Sequence, residues 1–296
     1  MKISVVVRTY NESRYLPDLL AALPAQKRWS RDCEIIVVDS GSTDGTQQIA
    51  VRGGARIVEM DKEQFSFGRS LNLGCEAARG SVIAIISGHC VPIDERWLGA
   101  LTDPLQLGRA QYVYGRQVGG VASKYSEVRT FERLYGRESF VPQRGFFCNN
   151  ANAAILKRVW EEHQFDEELP GLEDMELAKR LQKAGHAIGY VANATVGHYH
   201  HESWAQIRRR YEREAIALQR VMPEIHLSLL DVFELWSRTV FQDCGPALKD
   251  GRFPSRLIEI VRFRWNQHWG SYCGNQITRS LSREQKRQYF YSENGR

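Results

Sequence analysis

The sequence predicts an α/β fold, a doubly wound and mostly parallel sheet with a helical extension at its C-terminal end. Three observations predict it. Short apolar runs, KISVVVR (2–8), EIIVVDS (34–40) and SVIAIIS (81–87), alternate with stretches of helical periodicity. The runs stay apolar rather than alternating with polar residues, which suits strands covered on both faces. Beyond residue 203 the strand-like runs stop, and helical segments with scattered Trp and Phe follow.

The elements follow in order. Residues 2–8 are the first predicted strand. Asn11-Glu12 opens a helix to about residue 23, with Leu16, Leu19, Leu20 and Leu23 at helical spacing. Residues 34–40 are the second strand, and the turn Ser42-Thr43-Asp44-Gly45 leads into a helix over 44–52. ARIVEM (55–60) is the third strand. Phe67–Arg79 reads as a helix with Gly80 as its stop. Residues 81–87 are the fourth strand, a helix spans 94–106, and AQYVYGRQV (110–118) is the fifth strand. The stretch 121–147 has no clear period and reads as a mobile region over the site. NANAAILKRVW (150–160) begins as a strand and becomes a helix. GLEDMELAKRLQKAG (171–185) is a helix ended by Gly185, and 187–201 holds one or two strands. Residues 203–221 form a helix stopped before Pro223. The predicted division is a catalytic domain over 1–204, with a nucleotide-binding half (1–118) and an acceptor-binding half (119–204). A helical extension follows over 205–296.

The totals narrow the function classes. At 296 residues, 43% apolar and 25% charged, the composition is that of a soluble globular protein. No apolar stretch is long enough to span a membrane. MKISVVVRTY lacks the apolar segment and small-residue cleavage site of a secretory signal and reads as a first strand. The six cysteines form no C-x-x-C pair, so reduced thiols are expected rather than a zinc knuckle. The expected location is therefore cytoplasmic. Residues 205–296 carry 16 Lys and Arg against 10 Asp and Glu, a balance of +6, and residues 1–204 carry 24 against 25, so the tail holds the basicity behind the net charge of +5. With no continuous basic run of five or more, a solvated helical surface is the favoured reading, ahead of attraction to anionic lipid or a phosphate-bearing substrate. No stacking platform accompanies the basic residues, so nucleic acid is not an expected partner.

In doubly wound sheets ligands sit beyond the carboxyl ends of the strands, which makes Thr9, Asp39, Ser40, Ser87 and His89 the informative residues. Asp39, in VVDSGSTDGT, can accept from a ribose hydroxyl or a base N–H, and ordinary turn chemistry competes with that role on even terms. No G-x-G-x-x-G follows the first strand, where TYNES stands instead, and this disfavours a nicotinamide or flavin enzyme.

TYNE (9–12), VVDSGSTDGT (37–46), FGRSLNLG (67–74), GLED (171–174) and H-Y-H (198–200), in that order, resemble family-2 glycosyltransferases, which have the GT-A fold. The motifs span residues 2–202. The resemblance implies that Thr9, Glu12, Asp39, Arg69 and Ser87 line the nucleotide site, with Asn72 bracing the Arg69 helix. It implies that Asp174 is the catalytic base and that Glu173 orients the acceptor or its neighbours. It also implies that H-Y-H brings a further ligand to a metal or diphosphate.

One departure stands out. The family usually ends its fourth strand with Asp-x-Asp, or a close variant, to hold a metal, and this chain has Ser87-Gly88-His89. Ser87 lacks the charge of the first aspartate. His89 can supply a neutral ligand, as the similar Asp-x-His does in mucin-type N-acetylgalactosaminyltransferases. Two arrangements are open: His89 with His198 or His200 holds a divalent metal (Mn2+ or Mg2+, an imidazole suiting Mn2+ better), or a metal-independent site stabilises the diphosphate through His89 and Arg69.

Two motifs have a plain structural reading beside the functional one. The acids Glu173, Asp174 and Glu176 suit the first turn of any helix, but the preceding Pro-Gly turn sets that helix start on a rim. RGFFCNNANAAI (144–155) reads as Asn-rich turn chemistry or as a sugar wall. Asn149, Asn150 and Asn152 are assigned to the acceptor or donor-sugar wall, together with Glu173 and Trp204. The expected protein is an inverting glycosyltransferase that takes a nucleotide-sugar donor and a glycan or lipid-linked acceptor, in surface polysaccharide synthesis. The alternative is a GT-A-like nucleotide- or glycan-binding module altered at Ser87. The extension is expected to pack on the catalytic domain, pair with a second copy, or lie at the inner face of a membrane.

Overall fold

The computed structural model describes residues 2–120, 123–251 and 253–277. The chain enters as strand β1 (Ile3–Thr9) and crosses through helix α1 (Leu16–Ala22) to β2 (Glu34–Asp39). Helix α2 (Thr46–Arg52), β3 (Arg56–Glu59), α3 (Phe67–Ala77) and β4 (Val82–Ser87) complete a parallel layer. Next come β5 (Cys90–Pro92), α4 (Trp97–Gln106), β6 (Tyr112–Gly119) and α5 (Tyr125–Leu134). The chain continues through β7 (Asn152–Leu156), α6 (Lys157–Glu162), α7 (Glu173–Lys183) and β8 (Ile188–His198). Helices α8 (Trp204–Val221), α9 (Leu229–Lys249) and α10 (Phe253–Asn275) follow.

The eight strands form one sheet, in the order β3-β2-β1-β4-β7-β6-β8-β5. Parallel pairing joins β1 to β2 and β4, β2 to β3, and β6 to β8. Strand β7 runs antiparallel to both neighbours, and β5 antiparallel to β8. Every residue of β4 is buried, and Val5, Val6 and Val7 are fully enclosed, as the unbroken apolar runs require. Each such side chain contributes about 1.5–3 kcal/mol of burial. The register sets Thr9 beside Asp39 and Arg8 beside Ser87, so the exits of β1, β2 and β4 stand abreast.

The chain divides into two units. The first is residues 2–120, 134–169 and 173–199; the second is 123–133, 170–172 and the described residues from His200 onward. The units change over between Tyr199 and His200, and α5 and the 170–172 turn group with the later helices. In the second unit α10 packs along α8 and against α9. Its core includes the buried pair Arg264–Asp243 at 2.7 Å; Arg264 also donates to Thr130 Oγ1 and to Ser126 O on α5.

Four local differences from the expected elements have physical causes. Helix α1 starts five residues late because Asn11 has φ 55° and Pro17 sits in the first turn. The stretch 121–147 contains α5, whose buried face is only Ser126, Glu127 and Phe131, too polar for an apolar pattern to reveal. Strand β5 is three residues long and shorter than any periodicity. Gly80 lies beyond the end of α3, close against the β1 backbone. No described helix is long and apolar enough to cross a membrane, and all six cysteines are free thiols.

Candidate active site

The exits of β1, β4, β6 and β8 carry a continuous polar chain, all within the first unit. It begins at Glu12, whose Oε1 lies 2.5 Å from His89 Nδ1. His89 Nε2 faces His198 Nε2 at 3.1 Å, with the rings stacked at 27°. His198 Nδ1 meets Gln117 Oε1 at 2.6 Å, and Gln117 Nε2 donates to Asn149 Oδ1 at 2.9 Å. The next residue, Asn150, donates its backbone N–H to Asp174 Oδ2 at 2.9 Å.

The chain fixes its own proton positions. Ala151 N donates to Asn149 Oδ1, so that oxygen is an acceptor. Gln117 must then give it a proton, which leaves Gln117 Oε1 to accept from His198 Nδ1. At the far end the Glu12 carboxylate accepts from His89 Nδ1. Two neutral rings held this way turn their Nε2 lone pairs toward each other. A proton on one ring or a cation between the two would join the facing nitrogens, and Ser87 Oγ also stands 3.3 Å from His89 Nε2. Two nitrogens each about 2.1 Å from one ion and bonded at adjacent positions lie about 3.0–3.4 Å apart, so the 3.1 Å spacing fits a transition-metal ion. Gly88 makes the approach possible: a Cβ there would stand 2.9 Å from both Glu12 Cγ and Thr9 Cγ2.

Asp174 lies in the first turn of α7 and is 7% exposed. Burial first, and then the adjacent Glu173 carboxylate, push its pKa up to about 8, against the pull of the Asn150 and Met175 N–H groups and of Arg8. Glu173 Oε1 accepts from Asn150 Nδ2 at 3.3 Å and lies 3.8 Å from Arg8 Nη1. Arg8 stacks over Phe67 at 4.4 Å, and its Nη1 is buried with no hydrogen-bond partner. Sequence reading missed Arg8, although an arginine inside the run VVVRT, at the end of a buried strand, was a signal for it.

The other predicted residues fall into three groups. Those held at the strand exits are Glu12, Ser87, His89, Asn149, Glu173, Asp174 and His198; Ser87 Oγ sits 3.3 Å from His89 Nε2. A second group is used up by the fold. Asp39 is fully buried, and its carboxylate accepts from Thr9 Oγ1, Gly41 N, Ser42 N, Ser42 Oγ and Gln47 Nε2, which makes it the organiser of the β2–α2 loop. Thr9 is 2% exposed and bonded to Asp39. Asn150 is 3% exposed, with its side chain between Tyr112 and Glu173. Asn152 corrects its assignment to a sugar wall. It is fully buried, accepts from Trp97 Nε1 and donates to Arg116 O and Ala194 O inside the sheet. Asn72 likewise ties α3 to Phe165, Trp160 and Glu167.

The third group stands outside that polar chain. Arg69, half exposed, pairs with Glu167 at 3.2 Å and with Gln64. His200 and Trp204 belong to the second unit. There His200 Nδ1 meets buried Glu127 at 2.7 Å, and Glu127 also accepts from Arg210. The Glu127 carboxylate raises the His200 pKa against the effect of burial. The Trp204 ring has Lys124 and Arg262 over it at 4.8 and 4.7 Å.

Comparison with known proteins adds to this geometry. Residues 4–163 match the model of glycosyl transferase family 2. The O-antigen chain rhamnosyltransferase RfbN of Salmonella typhimurium is 28% identical over 71% of this chain and 70% of its own. Glycosyltransferase AglE of Haloferax volcanii is 26% identical over 79% and 78%. Among solved structures, the mannosyltransferase PcManGT of Pyrobaculum calidifontis, in complex with GDP-Man and Mn2+, superposes with a TM-score of 0.65 at 16% identity, over 92% of this chain and 85% of that one. The glucosyl-3-phosphoglycerate synthase of Mycobacterium tuberculosis, with Mn2+, UDP-glucose and phosphoglyceric acid, gives 0.55 at 21% identity over 74% and 79%. At such identities the two structures speak to the fold alone. With more than half its length matched by the family model, the chain belongs to glycosyl transferase family 2 and is a glycosyltransferase of GT-A fold.

Proposed function

We propose that the chain is an inverting glycosyltransferase, moving a sugar from a nucleotide diphosphate donor to a hydroxyl of a glycan or lipid-linked acceptor in surface polysaccharide synthesis. The observation that carries this reading is the polar chain from Glu12 through His89, His198, Gln117 and Asn149, with the next residue, Asn150, holding Asp174. It binds a site suited to a diphosphate and a site suited to a base into one rigid unit. The O-antigen rhamnosyltransferases among the relatives support the polysaccharide setting.

In the proposed reaction Asp174 takes the proton of the acceptor hydroxyl. The acceptor oxygen forms its bond to the anomeric carbon as the bond from that carbon to the diphosphate oxygen breaks. The electron pair leaves with the nucleotide. Attack from the face opposite the leaving group inverts the centre. A base whose pKa burial has raised toward neutrality is matched to this work, and such help contributes about 10²- to 10⁴-fold. Asn150 and Arg8 orient the two carboxylates, and Arg8 Nη1, which makes no hydrogen bond and lies 3.8 Å from Glu173 Oε1, is a donor for the donor sugar or its phosphate. Asp39 and Thr9 set the loop on which the nucleoside rests. His89 and His198 would hold a divalent cation, which when bound supplies positive charge to the departing diphosphate. Mn2+ suits two imidazoles better than Mg2+ does.

A second reading, a nucleotide- or glycan-binding module without transfer, draws on Ser87 standing where the family carries an acid. Melting curves with UDP, GDP, dTDP and CMP, each with Mn2+ or with a chelator, followed by donor-consumption assays, separate the two. One nucleotide stabilising only with Mn2+, and its sugar conjugate being consumed, supports the enzyme. Stabilisation with no donor consumed under any acceptor supports the module.

A further inference from the structure

We propose a second ligand site in the first unit, one that takes a phosphate or diphosphate group. A cavity of about 730 Å³ opens where β8 bulges away from β6. Gly115 pairs with Val191 and Gln117 with Val196, so residues 192–195 loop out opposite the single residue Arg116. The loop is well made: Thr195 Oγ1 donates to Ala192 O at 2.9 Å, and Ala194 O accepts from Asn152 at 2.8 Å. It rests on Gly115, where a Cβ would come within 2.3 Å of Ala194 O. Neighbouring residues of β6 part company here. Gln117 serves the polar chain of the strand exits, and Arg116 lines the cavity. The cavity takes none of its lining from that polar chain, so the site does not depend on the transfer chemistry.

The charge of the cavity is one-sided. Lys27, Arg28, Arg96, Arg116 and Arg137 line it, against Asp94 and Asp103. Three of the cations are answered nearby: Arg28 by Asp103 at 2.9 Å, Arg96 by Asp94 at 3.3 Å, and Lys27 by Glu95 at 2.5 Å. The side chains of Arg116 and Arg137 have no hydrogen-bond or ion-pair partner among the described residues, and Arg116 Nε is buried. A guanidinium without a carboxylate offers a planar pair of donors matched to phosphate oxygens. Asn193 and Thr195 add neutral polar groups. No aromatic ring stands among the described lining residues, so a nucleobase or sugar face finds no stacking surface. The volume is that of a small-ligand site.

Calorimetric titration of the full chain with inorganic pyrophosphate, in chelator to suppress metal-dependent binding, tests the site. Binding is expected in the wild type and in His89→Ala. It is expected to weaken at least tenfold in Arg116→Gln and in Arg137→Gln, and to vanish in the double variant and at high salt. Hydrogen exchange on the wild type keeps the test independent of variant folding: pyrophosphate should protect residues 192–195 and 99–103. Flotation with phosphatidylcholine vesicles, with and without phosphatidic acid, separates the sources. Vesicle binding lost in the double variant assigns the group to a lipid headgroup, and titration without vesicle binding assigns it to a soluble phosphate. No pyrophosphate binding by the wild type, undiminished binding in the double variant, or loss in His89→Ala instead would overturn the proposal.

Discussion

His89 Nε2 and His198 Nε2 face each other at 3.1 Å, with Glu12 and Gln117 holding the opposite nitrogens of the two rings. The pair joins the exit of β4 to the end of β8. If the space between the rings holds a cation, His89→Ala and His198→Ala should each remove the Mn2+-dependent part of nucleotide stabilisation in a melting curve. A variant that keeps its full Mn2+ response would place the cation elsewhere.

Asp174 gives the protein a specific pH signature. Its carboxyl is raised from 3.8 to about 8 by burial and by Glu173. Between those values the folded chain holds a proton that the unfolded chain has lost. The stability contributed by this group is therefore complete below 3.8 and is lost as pH rises through about 8. Transfer needs the ionised base, so its rate should climb across the same window. Urea denaturation at a series of pH values should show a falling slope that flattens in Asp174→Asn; an unchanged slope would contradict the assigned cause.

Asn152 illustrates how far the sequence could be read. Three asparagines beside two phenylalanines look alike in sequence, but only the sheet shows that Asn152 points into the core, to Trp97, Arg116 O and Ala194 O. Removing it strands one buried donor and two acceptors, so Asn152→Ala should cost about 3 kcal/mol or more in denaturant unfolding. A cost under about 1 kcal/mol with transfer abolished would return it to the sugar wall.

Gly88 holds the approach of β4 to the Glu12 turn. Gly88→Ala puts a methyl 2.9 Å from Glu12 Cγ and Thr9 Cγ2 and displaces Glu12 from His89. Destabilisation of about 1–3 kcal/mol is expected from the overpacking. Transfer should fall much more than donor binding, which kcat and KM measured separately would show.

The parallel layer was legible because its strands are buried on both faces and carry unbroken apolar runs, as in β4. The order and spacing of TYNE, VVDSGSTDGT and GLED made the family legible too. Direction and partnership were not. The antiparallel setting of β7 and the three-residue β5 depend on long-range pairing that leaves no local pattern. Asp39 could be placed at a strand exit, but whether its carboxylate faces a ligand or its own loop depends on the turn of Ser42 and Gln47 back onto it. Arg8 carried a readable signal, a charge inside a buried strand, and its role depends on Glu173 arriving from another part of the chain.

The most direct test of the account is a single-turnover transfer assay on Asp174→Asn beside a titration of the same variant with the donor's nucleotide. The account expects transfer to fall by about 10²- to 10⁴-fold while nucleotide affinity stays within a few-fold of wild type. Transfer at the wild-type rate would remove Asp174 as the base and, with it, the link between the histidine pair and the reacting centre.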